Sequence, residues 1–217
     1  MSSVYTDINK KNFEFNYEQE WDRFCNNTAT LKRFVKFFKV SGEVIKTGIT
    51  FEVVPFNGAG FSAPDTNGVE AVGLVCGSCF VSSNLFPFRS DTFHRSGAAH
   101  ASPFIGAVPT GKITPFLMQC IYEGTIGKII ICTTAFLNQA TVNNESRATV
   151  VQVQQFSSCY MTMVDMTTYP YLTIFEFAYK VHKLALTVYD VTDSANGTAG
   201  GTYVYEFDYG KGLGKTG

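Results

Sequence analysis

The sequence predicts an all-β fold, an antiparallel β-sandwich or jelly-roll-like arrangement of about eight to ten strands behind a short N-terminal helix. Three observations lead there. From Glu43 onward the apolar residues alternate with polar ones rather than recurring at helical spacing. The strand-like runs are separated by Gly, Pro, Asn and Ser at intervals of about 10–15 residues. The crossover helices that a parallel α/β sheet would need are missing from the pattern. With 217 residues and 23.9 kDa, the chain suits one domain, 1–217, in which 1–30 form an N-terminal arm and helix and 210–217 a flexible tail. A domain of this size buries about 70% of its unfolded surface, enough for a core without disulfide or metal.

Taken in order, Tyr17, Trp21, Phe24 and Cys25 fall at i, i+4, i+7 and i+8, with Glu18, Glu20, Asp22 and Arg23 between them. Residues 16–26 therefore read as a short amphipathic helix whose acids sit toward the positive end of its dipole. Over 31–40, Leu31, Phe34, Val35 and Phe38 keep a helical spacing, yet Phe and Val favour strands; both readings stay open, with a lean to strand. Ile49, Phe51 and Val53 alternate with Thr50 and Glu52 as a strand, which the loop 55–60 ends. Residues 69–81, uncharged after Glu70 and rich in Val, Gly and Cys, suit a strand buried on both faces. Residues 84–113, with Pro87, Pro103, Pro109 and several glycines, read as a long excursion holding at most a short helix. Further strands are expected at 116–122, 128–136, 149–156, 160–166, 172–177, 184–189 and 202–209. Gly124, Asn143-Asn144, Ser157-Ser158, Pro170 and the loop 194–201 punctuate them.

Tests for chemistry return little. The stretch 210–216 resembles a phosphate-binding loop only superficially, because it has three residues rather than four before its Gly-Lys-Thr. Cys76-Gly77-Ser78-Cys79 is a CxxC, but within a strand residues three apart face opposite ways and cannot share a metal. His94 and His100 flank a Ser-Gly-Ala-Ala stretch and read as loop residues; His182, beside Lys180 and Lys183, reads as solvated. No nucleophile elbow, zinc-protease helix, calcium loop or dinucleotide fingerprint is present, so the expectation is no enzyme, no cofactor and no metal. The polar start 1–11 gives no signal peptide, which favours six reduced cysteines and a virion or cytoplasmic location. No apolar run is long enough for membrane insertion.

Charge carries the functional argument. The net charge is −1 and the pI about 6.3, so the molecule as a whole does not attract nucleic acid. Lys32, Arg33, Lys36 and Lys39, interleaved with Phe34, Phe37 and Phe38, form a possible basic patch of the kind that holds single-stranded nucleic acid. The alternative, a solvated face, is favoured and leaves nucleic-acid binding weak or absent. Only 16% of residues are charged, against about 25% in ordinary domains, and between Ser96 and Asn144 the charges are Lys112, Glu123 and Lys128 alone. Interfaces are depleted in charge and enriched in aromatic residues, and 20 Phe with 11 Tyr fit that description. These features predict self-association into a homo-oligomer or larger shell, with or without other shell proteins, and contacts at Phe104, Ile105, Val108, Phe136 and Leu137. By fold-level analogy the expectation is a virus capsid, virion shell or vertex subunit, or a tail-tube or fibre protein. The alternative is a carbohydrate- or ligand-binding β-sandwich, lectin-like, stacking sugars on Tyr169, Tyr171, Tyr203 and Tyr205.

Overall fold

The structure, a computed structural model, describes residues 15–26, 31–46, 71–87, 93–124, 126–136, 148–190, 198–210 and 213–216. Two helices lie among them, α1 (Tyr17–Cys25) and α2 (Ile113–Glu123). The strands are β1 (Leu31–Phe38), β2 (Val72–Gly73), β3 (Cys76–Ser78), β4 (Val81–Pro87), β5 (Phe93–Ala101) and β6 (Phe104–Pro109). They continue with β7 (Ile126–Phe136), β8 (Ala148–Asp165), β9 (Leu172–Asp190), β10 (Thr198–Asp208) and β11 (Leu213–Thr216).

Every pairing is antiparallel. One sheet runs β11-β10-β9-β8-β7-β1-β2, and β6 joins it by pairing with both β3 and β9. Because β2 and β3 are nearly continuous, the segment Val72–Ser78 passes from β1 on one side to β6 on the other. Leu74 donates its N–H to the Arg33 carbonyl and Val75 to that of Ala107. The sheet therefore curls back on itself through β1, β7, β8, β9, β6 and β3. β4 and β5 form a separate hairpin. The facing layers expected from the sequence are opposite walls of this curled sheet.

β9 is the spine of the fold. Its first part pairs with β6 (Phe104↔Phe177, Val108↔Thr173) and its second with β10 (Tyr205↔Leu184), while β8 follows it along both. Inside the curl, Val35, Phe37, Phe104, Val108, Ile129, Ile131, Phe156, Phe175 and Phe177 form the main core. Phe104 stacks on Phe177 at 5.1 Å and tilts against Phe156 at 5.4 Å. Gly77 and Gly106 face that ring so closely that any Cβ at either would collide with it. Smaller clusters cover the outside. Phe38, Ile130, Cys132, Val153 and Ala185 form one, and Val75, Cys76, Ala107, Leu172 and Ile174 the other. α1 lies over the second, with Trp21 against Tyr171 at 5.0 Å and Tyr17 against Tyr169 at 5.5 Å. The Asn16 side chain caps that helix by accepting from Gln19 N–H at 3.1 Å.

α2 follows β6 in the chain and packs against β8, and Ile113, Leu117 and Cys120 bury the face that closes one end of the core. Pro115 sits in its first turn, where a missing N–H costs nothing. Gly124 ends it in the left-handed conformation (φ 77°) that an L side chain resists. Thr114 anchors it to β9 through a 2.7 Å hydroxyl contact with Thr173.

The all-β class and the N-terminal helix are as the sequence predicts, and 31–38 is strand. Several elements differ. Residues 116–122 belong to α2 rather than to a strand, and the supposed excursion after Asn84 contains β5 and β6. The paired strands expected on either side of Ser157-Ser158, and on either side of 178–183, are single long strands. Ser158 remains within β8 at φ 54° and the register shifts between Met161 and Met163, so the strand bends without ending. The tail expected at 210–217 contributes β11, which pairs Leu213 with Asp208 and Thr216 with Tyr205. The strand expected around Ile49–Val53 lies outside the described residues.

Candidate functional site

Residues opposite one another on neighbouring strands share a face, and the register sets out three rows across the inner face of β1, β7, β8, β9 and β10. The deepest is Phe37, Ile129, Phe156, His182 and Phe207. Next comes Val35, Ile131, Gln154, Leu184 and Tyr205, and then Arg33, Thr133, Gln152, Leu186 and Tyr203. The rows grade from apolar and buried to polar and open. At the last, opposite the end that α2 closes, lies a cavity of about 140 Å³. Its floor is Leu74, Phe104 and Ile131, and its rim is Arg33, Ser78, Gln152 and Gln154. The Arg33 guanidinium donates to the Gly77 carbonyl at 3.1 Å, and the residue is exposed. Beyond the cavity the same face continues as an exposed apolar shelf, with Leu186 42% and Tyr203 64% accessible.

The buried titratable groups are tuned against reactivity. Burial pushes the thiols of Cys76, Cys120 and Cys159 up to about 12 and that of Cys132 to about 11; it raises Cys79 as well. A thiol so protonated is a poor nucleophile and a poor metal ligand. Cys76 packs in the outer cluster under α1 and Cys79 against the inner core, so the CxxC cysteines do face opposite sides. Among the described residues no three His, Cys, Asp or Glu side chains gather as a metal site. All six cysteines are free thiols, and Cys25 is the exposed one. Alkylation of the folded protein should therefore label Cys25 quickly and Cys76, Cys120, Cys132 and Cys159 only after denaturation. An intact mass that shows disulfides without added oxidant would contradict this.

His182 departs from expectation. It is 8% exposed and lies flat on Phe156, at 4.6 Å and 8° between ring planes, rather than in solvent beside its lysine neighbours. Burial lowers its pKa to about 4. His94 and His100 belong to strand β5, paired with Phe86 and Ser82, rather than to a loop.

The expected interface residues are dispersed. Phe104 and Val108 turn into the core, at 2% and 0% exposure, so both serve the monomer's own packing. Ile105, on the alternate face of β6, is half-buried with the cluster beneath α1. Phe136 is the last residue of β7, paired with Ala148, and Leu137 lies outside the described residues. Nor do the four cations make one patch. As strand residues, Lys32 and Lys36 point to the outer face and Arg33 to the other, while Lys39 follows the end of β1. Lys36 is buried, and Lys39 bonds Glu43 at 2.9 Å, which holds that carboxyl below its usual pKa. Of the tyrosines proposed for sugar stacking, Tyr169 and Tyr171 pack under α1, whereas Tyr203 and Tyr205 lie on the shelf. Sequence reasoning missed Gln152 and Gln154, although two glutamines alternating with Val151 and Val153 mark a polar face in an otherwise apolar strand.

No family model matches the chain, and no curated protein matches it in sequence. Solved structures share its fold. A protein described as belonging to a type six secretion system superposes with a TM-score of 0.57 at 12% identity, over 85% of this chain and 99% of its own. Hcp1 from E. coli EAEC 042 gives 0.54 at 12% identity, over 82% and 98%. Hcp1 from Salmonella typhimurium gives 0.50 at 10%, over 86% and 100%. The chain has an Hcp-like fold.

That finding corrects the functional expectation. The sandwich pattern pointed by analogy to a virus capsid or virion shell, or else to a lectin-like binding module, but the solved structures found to share this curled sheet include Hcp proteins and a protein of a type six secretion system. Placement in a virion rested on the same analogy and falls with it, and placement in the cytoplasm, read from the polar start 1–11, is withdrawn as well. Among the described residues no helix is long and apolar enough to cross a membrane.

Proposed function

We propose that this chain is a self-associating structural subunit of a secretion-type protein assembly, with no catalytic role. The observation that carries the reading is the match of the fold to nearly the whole length of the two Hcp1 structures and of the type six secretion system protein rather than to a fragment. The surface supports it. Tyr122, Val40 and Tyr160 are 86%, 71% and 54% exposed, on a chain short of the charges that keep monomers apart. A structural role also suits the buried thiols, which burial holds protonated.

Size-exclusion chromatography with light scattering tests the proposal. The expected result is a discrete species at a multiple of 23.9 kDa, and negative-stain images then separate a closed ring from an open polymer. A single 23.9 kDa species persisting to about 100 μM, where an association of even modest affinity is populated, would overturn it.

A further inference from the structure

The open end of the curled sheet combines a cation, neutral polar groups and an apolar surface in a way that neither folding nor the proposed assembly accounts for. Arg33 holds one carbonyl, that of Gly77, and makes no ion pair among the described residues. Among the described residues no carboxylate lines the cavity beside it. Glu206 and Asp208 of β10 alternate to the opposite face, where Glu206 lies 4.0 Å from Lys183. Gln152, Gln154 and Ser78 supply uncharged donors around the guanidinium. Immediately across the strands, in register with the two glutamines, come Leu186 and Leu184, then Tyr203 and Tyr205. A guanidinium with free donors prefers a carboxylate, which it binds by charge-assisted hydrogen bonds. A shelf of Leu and Tyr prefers apolar side chains, and tyrosine supplies rigid contact area at small entropic cost.

We propose that this mouth is a docking site for a polypeptide segment that anchors one carboxylate on Arg33 and lays adjoining apolar side chains on Leu186, Tyr203 and Tyr205. The cavity has room for a single small group, so the carboxylate belongs either to a chain terminus or to one acidic side chain. The apolar part of the ligand lies outside the cavity, along β9 and β10. Charge complementarity selects the anchor, and the shelf sets the sequence preference beside it.

Three fluorescein-labelled peptides rich in leucine and phenylalanine test the site by anisotropy. One ends in a free carboxylate, one ends in an amide, and one ends in an amide but carries an internal glutamate. Binding of the first alone identifies a chain terminus, and binding of the first and third identifies a carboxylate from either source. Arg33→Gln keeps a donor for the Gly77 carbonyl and removes the charge, and it should weaken binding about tenfold or more, the usual loss for a charge-assisted hydrogen bond. Tyr203→Ser changes an exposed position that the core does not need, and should weaken all binding peptides alike. Equal affinity for the amide peptide, or indifference to Arg33→Gln in a protein with unchanged circular dichroism, overturns the proposal. So does failure of all three peptides to bind at about 1 mM, the weak end of the affinity scale. If Arg33→Gln or Tyr203→Ser instead lowers the mass of the assembly while peptides fail, the shelf faces a second copy of this chain and the peptide reading is wrong.

Discussion

Phe104→Glu should abolish folding rather than disperse an assembly of folded subunits. The ring is 2% exposed and touches Phe156, Phe175 and Phe177, and the backbone of Gly77 and Gly106 closes over it. A glutamate there has no cation within the core to meet it, and Arg33 stands at the rim, where solvent reaches it. The chain would bury a carboxyl without partners, at a cost of several kcal/mol, and would lose the aromatic packing as well, about 3–5 kcal/mol for a comparable truncation. Together these approach the about 5–15 kcal/mol that holds a whole domain. The expected result is loss of the β-type circular dichroism spectrum and of soluble expression. Phe104→Leu, which keeps an apolar group of similar bulk, should fold with a loss of about 1–2 kcal/mol. A folded, monomeric Phe104→Glu protein would show that the ring belongs to an interface after all.

The same residue shows where sequence reasoning reached its limit. The charge deficit between Ser96 and Asn144 is genuine, but on its own it does not distinguish a surface hidden by another subunit from one hidden by the chain itself. Here much of it has the second cause. β6 lies between β3 and β9, and α2 fills an end of the curl. α2 was legible, since Ile113, Phe116, Leu117 and Cys120 hold an i, i+3, i+4, i+7 spacing with Pro115 in a permitted first-turn position. The aromatic and apolar content of 116–122 drew the reading toward strand instead. Alternation gave the strands of β7 to β10 correctly as a class, yet not their lengths. Serine pairs and charged residues such as Lys180 look like breaks, whereas the β8–β9 ladder runs through both without a change of register and shifts only between Met161 and Met163. The basic patch dissolved for a simpler reason. Cations so spaced cluster on a helix, but 31–38 is strand and divides Lys32 and Lys36 from Arg33 between its faces, with Lys39 past its end. The open mouth was beyond the sequence, because its residues come from β1, β3 and β8 and only the register brings them together.

Acid should weaken the fold through His182 well before it reaches the carboxylates. Burial holds the imidazole at a pKa of about 4 in the folded chain, against 6.5 when it is exposed. Its Nε2 is buried without a hydrogen-bond partner, and its ring faces Phe156 and the edge of Tyr179, groups that cannot stabilise an imidazolium by charge. Between those two pKa values the unfolded state binds the proton and the folded state does not, so stability rises with pH across that window. The contribution is complete above the unfolded pKa. It declines as pH falls below 6.5, and near pH 4 the loss approaches about 3 kcal/mol. Asp165 acts lower. Hydrogen bonds from the Thr168 hydroxyl, then from the Thr167 N–H and hydroxyl, hold its carboxyl at about 2, so its stabilising effect persists down to the ordinary carboxylate range and fades only below it. Urea unfolding between about pH 7 and about pH 4.5 should show the native protein losing stability steadily. His182→Phe keeps a flat ring on Phe156 and removes the titrating group, so it should lose markedly less over the same range. His94, His100 and every carboxylate are common to both proteins, and the difference between the two slopes reports His182 alone. Equal slopes would mean that the imidazole takes up its proton at the same pH folded and unfolded, and that the stack on Phe156 tolerates the charge.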